Sequence, residues 1–183
     1  MQINIEDILK GCKAREQKAF EILYKTYYRI LLGIALRYSR NTAEAEDILQ
    51  DSFIKIFNSI DSFNMKGSFE GWMKRIVQNT AINSYRSNLK FDLHVAISEQ
   101  TDVGDDSFNS VFESFTNKEI LALLNQLPEG YRLVINLYSI DGYSHQEIAE
   151  MLNISVGTSK SQLFKAKLYL KNLLKAHHKQ QAV

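Results

Sequence analysis

Between Thr158 and Lys165 the chain sets Thr158, Lys160, Ser161, Gln162, Phe164 and Lys165 side by side. Cations grip phosphate oxygens, whereas amides and hydroxyls exchange hydrogen bonds with base edges, so such a set can anchor on a nucleic acid and also read it. The neighbouring residues decide which way the set faces. Val156, Ser159, Leu163, Ala166 and Leu170 recur at intervals of three and four, the line of one helix face, which leaves the polar set pointing outward. Ser159 lies on the inward line, and its hydroxyl is expected to bond a carbonyl one turn back.

A helix that reads a groove must itself be positioned. Gly142 to Leu170 has the proportions of a helix, a tight turn and a second helix, as in a helix-turn-helix reader of the DNA major groove. Ser144 and Glu147 make a capping box at the start of the first helix. Ile148, Ala149 and Leu152 form its inward stripe, Asn153 suits a left-handed stop, and Ser155 suits a cap for the next helix. Upstream, Leu127-Pro128-Glu129-Gly130-Tyr131-Arg132 leads into an apolar helix over Leu133 to Ile140, with Asp141-Gly142 as its stop. The same spacing also fits a plain amphipathic hairpin with a solvated lysine face.

A second polar set lies in the N-terminal half. The loop Asp61 to Gly67 offers Phe63, Asn64, Met65 and Lys66, an aromatic and polar group able to hold an unstacked base. Ser68 then caps a helix running to about Ser87. Phe69, Trp72, Ile76 and Ala81 belong to its packed side, and Lys74, Arg75, Gln78, Asn79 and Arg86 project from other faces. The alternative is a basic surface whose loop aromatics are tucked into the core. Before this block, Asn4 caps a short helix over Ile5 to Cys12, and a long one covers about Arg15 to Tyr38 with Phe20, Leu23, Tyr27, Leu31, Ile34 and Tyr38 inward. Thr42 opens a third, whose buried side is Ile48, Phe53, Ile56 and Phe57. Its other face carries Asp47, Gln50, Asp51 and Lys55, which composition alone reads as solvated.

Charge divides the chain into three. Residues 1–90 carry 14 Lys/Arg against 10 Asp/Glu, residues 116–183 carry 8 against 5, and residues 91–115 hold 6 acids and no Lys or Arg. The overall charge of +1 therefore hides two basic regions flanking an acidic one. The middle stretch lacks a sustained helical period and reads as a tether. A single proline and eight glycines suit long helices, and no apolar run approaches the roughly 20 residues of a membrane span. The N-terminus does not read as an export signal. A lone Cys12 rules out an internal disulfide and fits a reducing cytoplasm. No phosphate-cradling motif or metal-ligand spacing appears, so neither an enzyme nor a cofactor is expected; His177-His178 looks like solvated tail.

The block from Leu127 to Leu174 resembles the C-terminal region of small bacterial sigma factors of the extracytoplasmic-function (ECF) type, with the pattern LP..R, EIA..L and GT.kS in order. A second block resembles that family's F..W...Ia.N.a.d..R pattern, through Phe69, Trp72, Ile76, Asn79 and Arg86. Departures are Ser159, where an aliphatic residue is usual, Gln162 and Lys165, where arginine is common, and Asn83, where an aspartate is usual. The resemblance implies an all-α fold of two small helical domains: 1–90 as sigma region 2, 91–115 as acidic linker, 116–178 as sigma region 4, and 179–183 as tail.

It also implies roles. The C-terminal helix-turn-helix would grip the −35 promoter element through the Thr158–Lys165 set. The segment with Phe63, Asn64, Met65, Lys66, Lys74, Arg75, Gln78 and Asn79 would read and open the −10 element. Asp47, Gln50, Asp51 and Lys55 would face core RNA polymerase. The linker, with Phe91, Phe108, Phe112 and Phe115 among its acids, would thread a polymerase channel by charge mimicry. An anti-sigma factor is a common partner in the family. Two other classes compete: a dimeric helix-turn-helix regulator, which needs a dimerisation helix or ligand pocket, and an adaptor whose basic faces are merely solvated. Core polymerase binding separates the first from a sigma factor, and specific DNA readout by the holoenzyme eliminates the second.

Overall fold

The computed structural model describes residues 4–89 and 116–181. The acidic stretch 91–115, with its four phenylalanines, lies outside them. The chain divides into two compact units, Met1–Tyr85 and Arg86–Val183, and the described residues contain helices and turns but no strand.

The first unit begins with α1 (Ile5–Lys13), started by Asn4, whose side chain accepts from the Glu6 backbone N–H. It ends at Arg15, which takes the left-handed conformation at φ 62°. The Glu16 N–H then reaches back to the Gly11 carbonyl at 2.9 Å, the closing bond of a helix C-cap that usually places glycine where Arg15 stands. The long helix expected from about Arg15 therefore starts two residues later, as α2 (Gln17–Tyr38). Gly11 is required by the turn: a Cβ there would meet the Ala19 Cβ at 2.7 Å. Close by, Cys12 is fully buried, and that burial pushes its thiol up to about 11. A thiol still protonated at neutral pH is a poor nucleophile.

Helix α2 buries Leu23, Leu31, Ile34 and Tyr38, while Phe20 and Tyr27 are only half-buried. Burial, with a smaller push from the Glu70 carboxylate, raises the Tyr27 phenol. Helix α3 (Thr42–Ser59) is capped by Asn41 and buries Ile48, Phe53 and Ile56, as the pattern predicts, with Phe57 half-buried. A 3₁₀ turn over Ile60–Ser62 follows. Helix α4 (Phe69–Leu89) opens under Ser68, whose Oγ accepts from the Gly71 N–H at 3.2 Å. Its buried line is Phe69, Met73, Val77 and Ala81, a strict repeat of four. Trp72 and Ile76, expected inside, sit beside that line and are half-buried.

The second unit comprises α5 (Asn117–Leu124), α6 (Glu129–Ile135), α7 (His145–Leu152) and α8 (Val156–Gln181). Thr116 and Glu119 close a capping box on α5, and Pro128 begins α6. The sequence predicts one helix over residues 133–140; instead α6 widens at Asn136–Ile140 into a π turn. The Asn136 amide donates to the Arg132 carbonyl at 2.8 Å, and the Asp141 N–H bonds Asn136 O at 2.9 Å, five residues back. Inserting one residue into the ladder in this way is a common device near functional segments. Gly142, at φ 78°, then turns the chain into α7. Because α8 continues to Gln181, the expected tail at 179–183 is helical for its first three residues.

Candidate nucleic-acid interface

The helix-turn-helix of the second unit is assembled by caps. Ser144 Oγ accepts from the Glu147 N–H, and the Glu147 carboxylate accepts from Ser144 N at 2.8 Å. Ile148, Ala149 and Leu152 are buried. Asn153 stops α7 in the left-handed region at φ 55°, and the Ile154 N–H reaches back to Ala149 O at 3.0 Å. Ser155 Oγ then accepts from the Thr158 N–H at 2.9 Å and starts α8. Each of these roles follows from residue type and spacing.

Side chains along α8 sort largely as the periodicity predicts. Ser159, Leu163, Ala166 and Leu170 are buried, whereas Val156, expected inside at the first position of α8, is 42% exposed. Ser159 corrects a second expectation. Its hydroxyl lies 2.9 Å from His145 Nδ1, so it ties α8 to the start of α7 and not to its own backbone. The Tyr138 ring stacks on His145 at 4.5 Å, joining the π turn to the same clasp.

Among the outward set, Lys160 is exposed, while Thr158, Ser161, Gln162, Phe164 and Lys165 are half-buried. Thr158 shares a hydroxyl hydrogen bond with Ser155 at 2.8 Å, and Ser161 Oγ donates to Thr158 O at 3.0 Å. Gln162 Oε1 is buried and accepts no hydrogen bond.

The first unit presents a different surface. Asn64, Met65 and Lys66 are exposed. The Asn64 carbonyl oxygen accepts from the Lys66 N–H at 3.1 Å, and Met65 and Gly67 take left-handed backbone at φ 62° and 88°. Phe63, expected on this loop surface, is in the core instead. It is 4% exposed and packs on Phe69 at 5.0 Å and Trp72 at 5.5 Å, because the ring gains more from that apolar cluster than from water. Gln78 is likewise buried, at 8% exposure, beside Val77 on the packed side. Arg75 and Asn79, one helical turn apart, share an exposed face of α4, and Lys74 pairs with Glu70 at 2.6 Å.

Asp47, Gln50, Asp51 and Lys55 are all exposed on α3, with Lys55 Nζ donating to Thr80 Oγ1 at 3.1 Å. Of the four, only Gln50 lines an open, mostly apolar groove of about 460 Å³ between α2 and α3, with Tyr24, Tyr28, Glu46, Phe53, Ile54 and Phe57. Ile54 is 53% exposed there. Sequence reasoning named Gln50 and missed the groove, whose aromatics come from two helices.

Both units match known protein families. Residues 23–90 match Sigma-70 region 2, and residues 117–170 match Sigma-70, region 4. The chain is 31% identical to the ECF RNA polymerase sigma-E factor of Haemophilus influenzae over 182 residues, covering 93% of this chain and 95% of that protein. It is 29% identical to the sigma-E factor of Salmonella typhimurium, covering 93% and 92%. Among solved structures, it is similar to the sigma factor RpoE of Bartonella quintana in complex with the anti-sigma factor NepR, at 25% identity and a TM-score of 0.51, covering 86% of this chain and 98% of that one.

The chain belongs to the ECF group of the sigma-70 family. It is a promoter-recognising RNA polymerase sigma factor, a transcription initiation factor and not an enzyme, with core polymerase and promoter DNA as its partners. The region 2 match separates it from a dimeric helix-turn-helix regulator. Among the described residues, no helix is long and apolar enough to cross a membrane.

Proposed function

We propose a division of labour in which residues 1–90 bind core polymerase and read and open the −10 element, while residues 116–178 grip the −35 element. The observation that carries this reading is the pairing, within the first unit, of two dissimilar exposed surfaces. Glu46 and Gln50 edge an apolar groove between α2 and α3, and Asp47, Asp51 and Lys55 are exposed elsewhere on α3, a composition suited to a protein partner. A polar loop and the Arg75–Asn79 face lie on and before α4, a composition suited to DNA. Asn64, Met65 and Lys66 hold an unpaired base, Lys74, Arg75 and Asn79 hold the strand, and binding free energy offsets the cost of unpairing. The burial of Phe63 and Gln78 gives them supporting positions beneath the loop and α4.

In the second unit, Lys160 and Lys165 contact phosphates or nearby base edges, with Thr158, Ser161, Gln162 and Phe164 completing the −35 contact. The acidic stretch 91–115 joins the two regions and follows a nucleic-acid path on the polymerase. The protein acts in the cytoplasm. Its similarity to a sigma factor solved with an anti-sigma factor supports an inhibitor of that class as a further partner.

The polymerase assignment is tested by Gln50→Ala combined with Asp51→Lys. Both positions are exposed, so circular dichroism should show an intact fold while retention on immobilised core polymerase falls at least tenfold, as for charge reversal in a buried interface. Full retention by the folded variant would remove α3 from the interface.

A further inference from the structure

Helix α1 and the turn after it precede the region 2 match, which begins at residue 23, and no role above uses them. Two long side chains reach from that turn across the unit. Arg15 donates through Nη1 to the Phe57 carbonyl at 2.7 Å and through Nη2 to Asp61 Oδ2 at 2.7 Å. Lys13 Nζ donates to the Phe63 carbonyl at 3.0 Å. These contacts fix the chain at three successive points, from the last turn of α3 to the residue before Asn64. We propose that the turn between α1 and α2 is a brace for the loop Asn64–Lys66, with Arg15 and Lys13 as positioning residues for promoter melting. The inference rests on the reading of that loop as the holder of the opened base.

Three features favour a positioning role. Arg15 occupies a left-handed cap position that glycine takes at lower conformational cost, and the side chain glycine lacks is the one that reaches α3 and the loop. The loop follows directly on Phe63, whose ring is locked against Phe69 and Trp72 and whose carbonyl Lys13 holds. A loop already held in shape loses less freedom when it captures a base. Pairing Arg15 with Asp61 also offsets a negative charge at the mouth of a loop that must approach phosphates.

Arg15→Gly in the full-length protein tests this, because it removes both guanidinium contacts while relieving the left-handed backbone. Thermal stability should hold or rise. Retention on core polymerase and initial promoter binding should stay within about twofold of wild type. Open-complex formation, read by permanganate reactivity in the holoenzyme, should fall roughly three- to tenfold, the scale of one or two lost hydrogen bonds. Arg15→Lys, which keeps a cation near Asp61, should recover part of that loss. Trp72, the only tryptophan, packs against Phe63 at 5.5 Å between ring centroids, so its emission should shift in Arg15→Gly as the ring loosens.

Asn64→Ala and Lys66→Ala separate the two layers of the inference. If they lower opening while Arg15→Gly leaves opening and Trp72 emission at wild-type values, the brace is wrong and the loop reading stands. If they leave opening intact, the loop reading fails and the brace fails with it.

Discussion

The surfaces proposed to face DNA in the two units are built in different ways. The helix-turn-helix of the second unit is held by contacts between residues three to fourteen apart: Ser144 with Glu147, Asn153 with its own helix end, Ser155 with Thr158 and His145 with Ser159. The loop of the first unit, besides its own Asn64–Lys66 bond and the packing of Phe63 on Phe69 and Trp72, is held by contacts 42 to 50 residues apart, from Lys13 and Arg15 to Phe57, Asp61 and Phe63. A rigid helix that enters a duplex groove can be specified locally, because it needs only a start, a stop and one apolar face. A loop that must hold a base out of the stack needs its backbone fixed from outside. The difference suits the two tasks proposed for them, reading duplex DNA and stabilising opened DNA.

Variants of the second unit sharpen that contrast, beginning with the largest effect. Leu163→Ala empties a buried position beneath the reading face of α8 and should cost about 2–5 kcal/mol. Retention on core polymerase should persist while −35 binding is lost; joint loss of both would show that the units do not divide the work. Gln162→Arg should change the preferred base at one −35 position by about 1–3 kcal/mol, since arginine matches guanine where glutamine matches adenine. Selection from a −35 library by both proteins decides it, and identical enriched sequences would mean that Gln162 stays turned inward. Ser159→Val should have the smallest effect, about 1 kcal/mol in thermal unfolding, through loss of the bond to His145. Unchanged stability would make the clasp neutral and leave the caps alone to set the angle between α7 and α8.

How much the sequence disclosed follows the same division. The capping box at Ser144, the stop at Asn153, the cap at Ser155 and the stripe from Leu163 to Leu170 were all readable, because each is a local rule of residue type and spacing. The all-α fold and the sigma family were readable from two motif blocks in order. What spacing could not show were tertiary choices. Phe63 had an apolar cluster to join, so it left the loop surface. The buried line of α4 runs through Met73 and Val77 and not Trp72 and Ile76, because packing partners set the rotation of a helix. Ser159 bonds a histidine across the turn, and Arg15 lies outside any helix. The apolar groove between α2 and α3 escaped notice since its aromatics sit on two helices, Tyr24 and Tyr28 facing Phe53 and Phe57.

The central claim is that the first unit opens DNA which the holoenzyme has already bound. Asn79→Ala tests it most directly, because Asn79 is exposed on α4, away from the buried line, and its truncation should not disturb the fold. With reconstituted holoenzyme, initial promoter binding and permanganate reactivity at the −10 element are measured side by side. The account predicts that opening falls several-fold more than initial binding, by roughly the 1–3 kcal/mol of a lost base contact. Equal losses in both would contradict it, and would place Asn79 in general affinity for DNA.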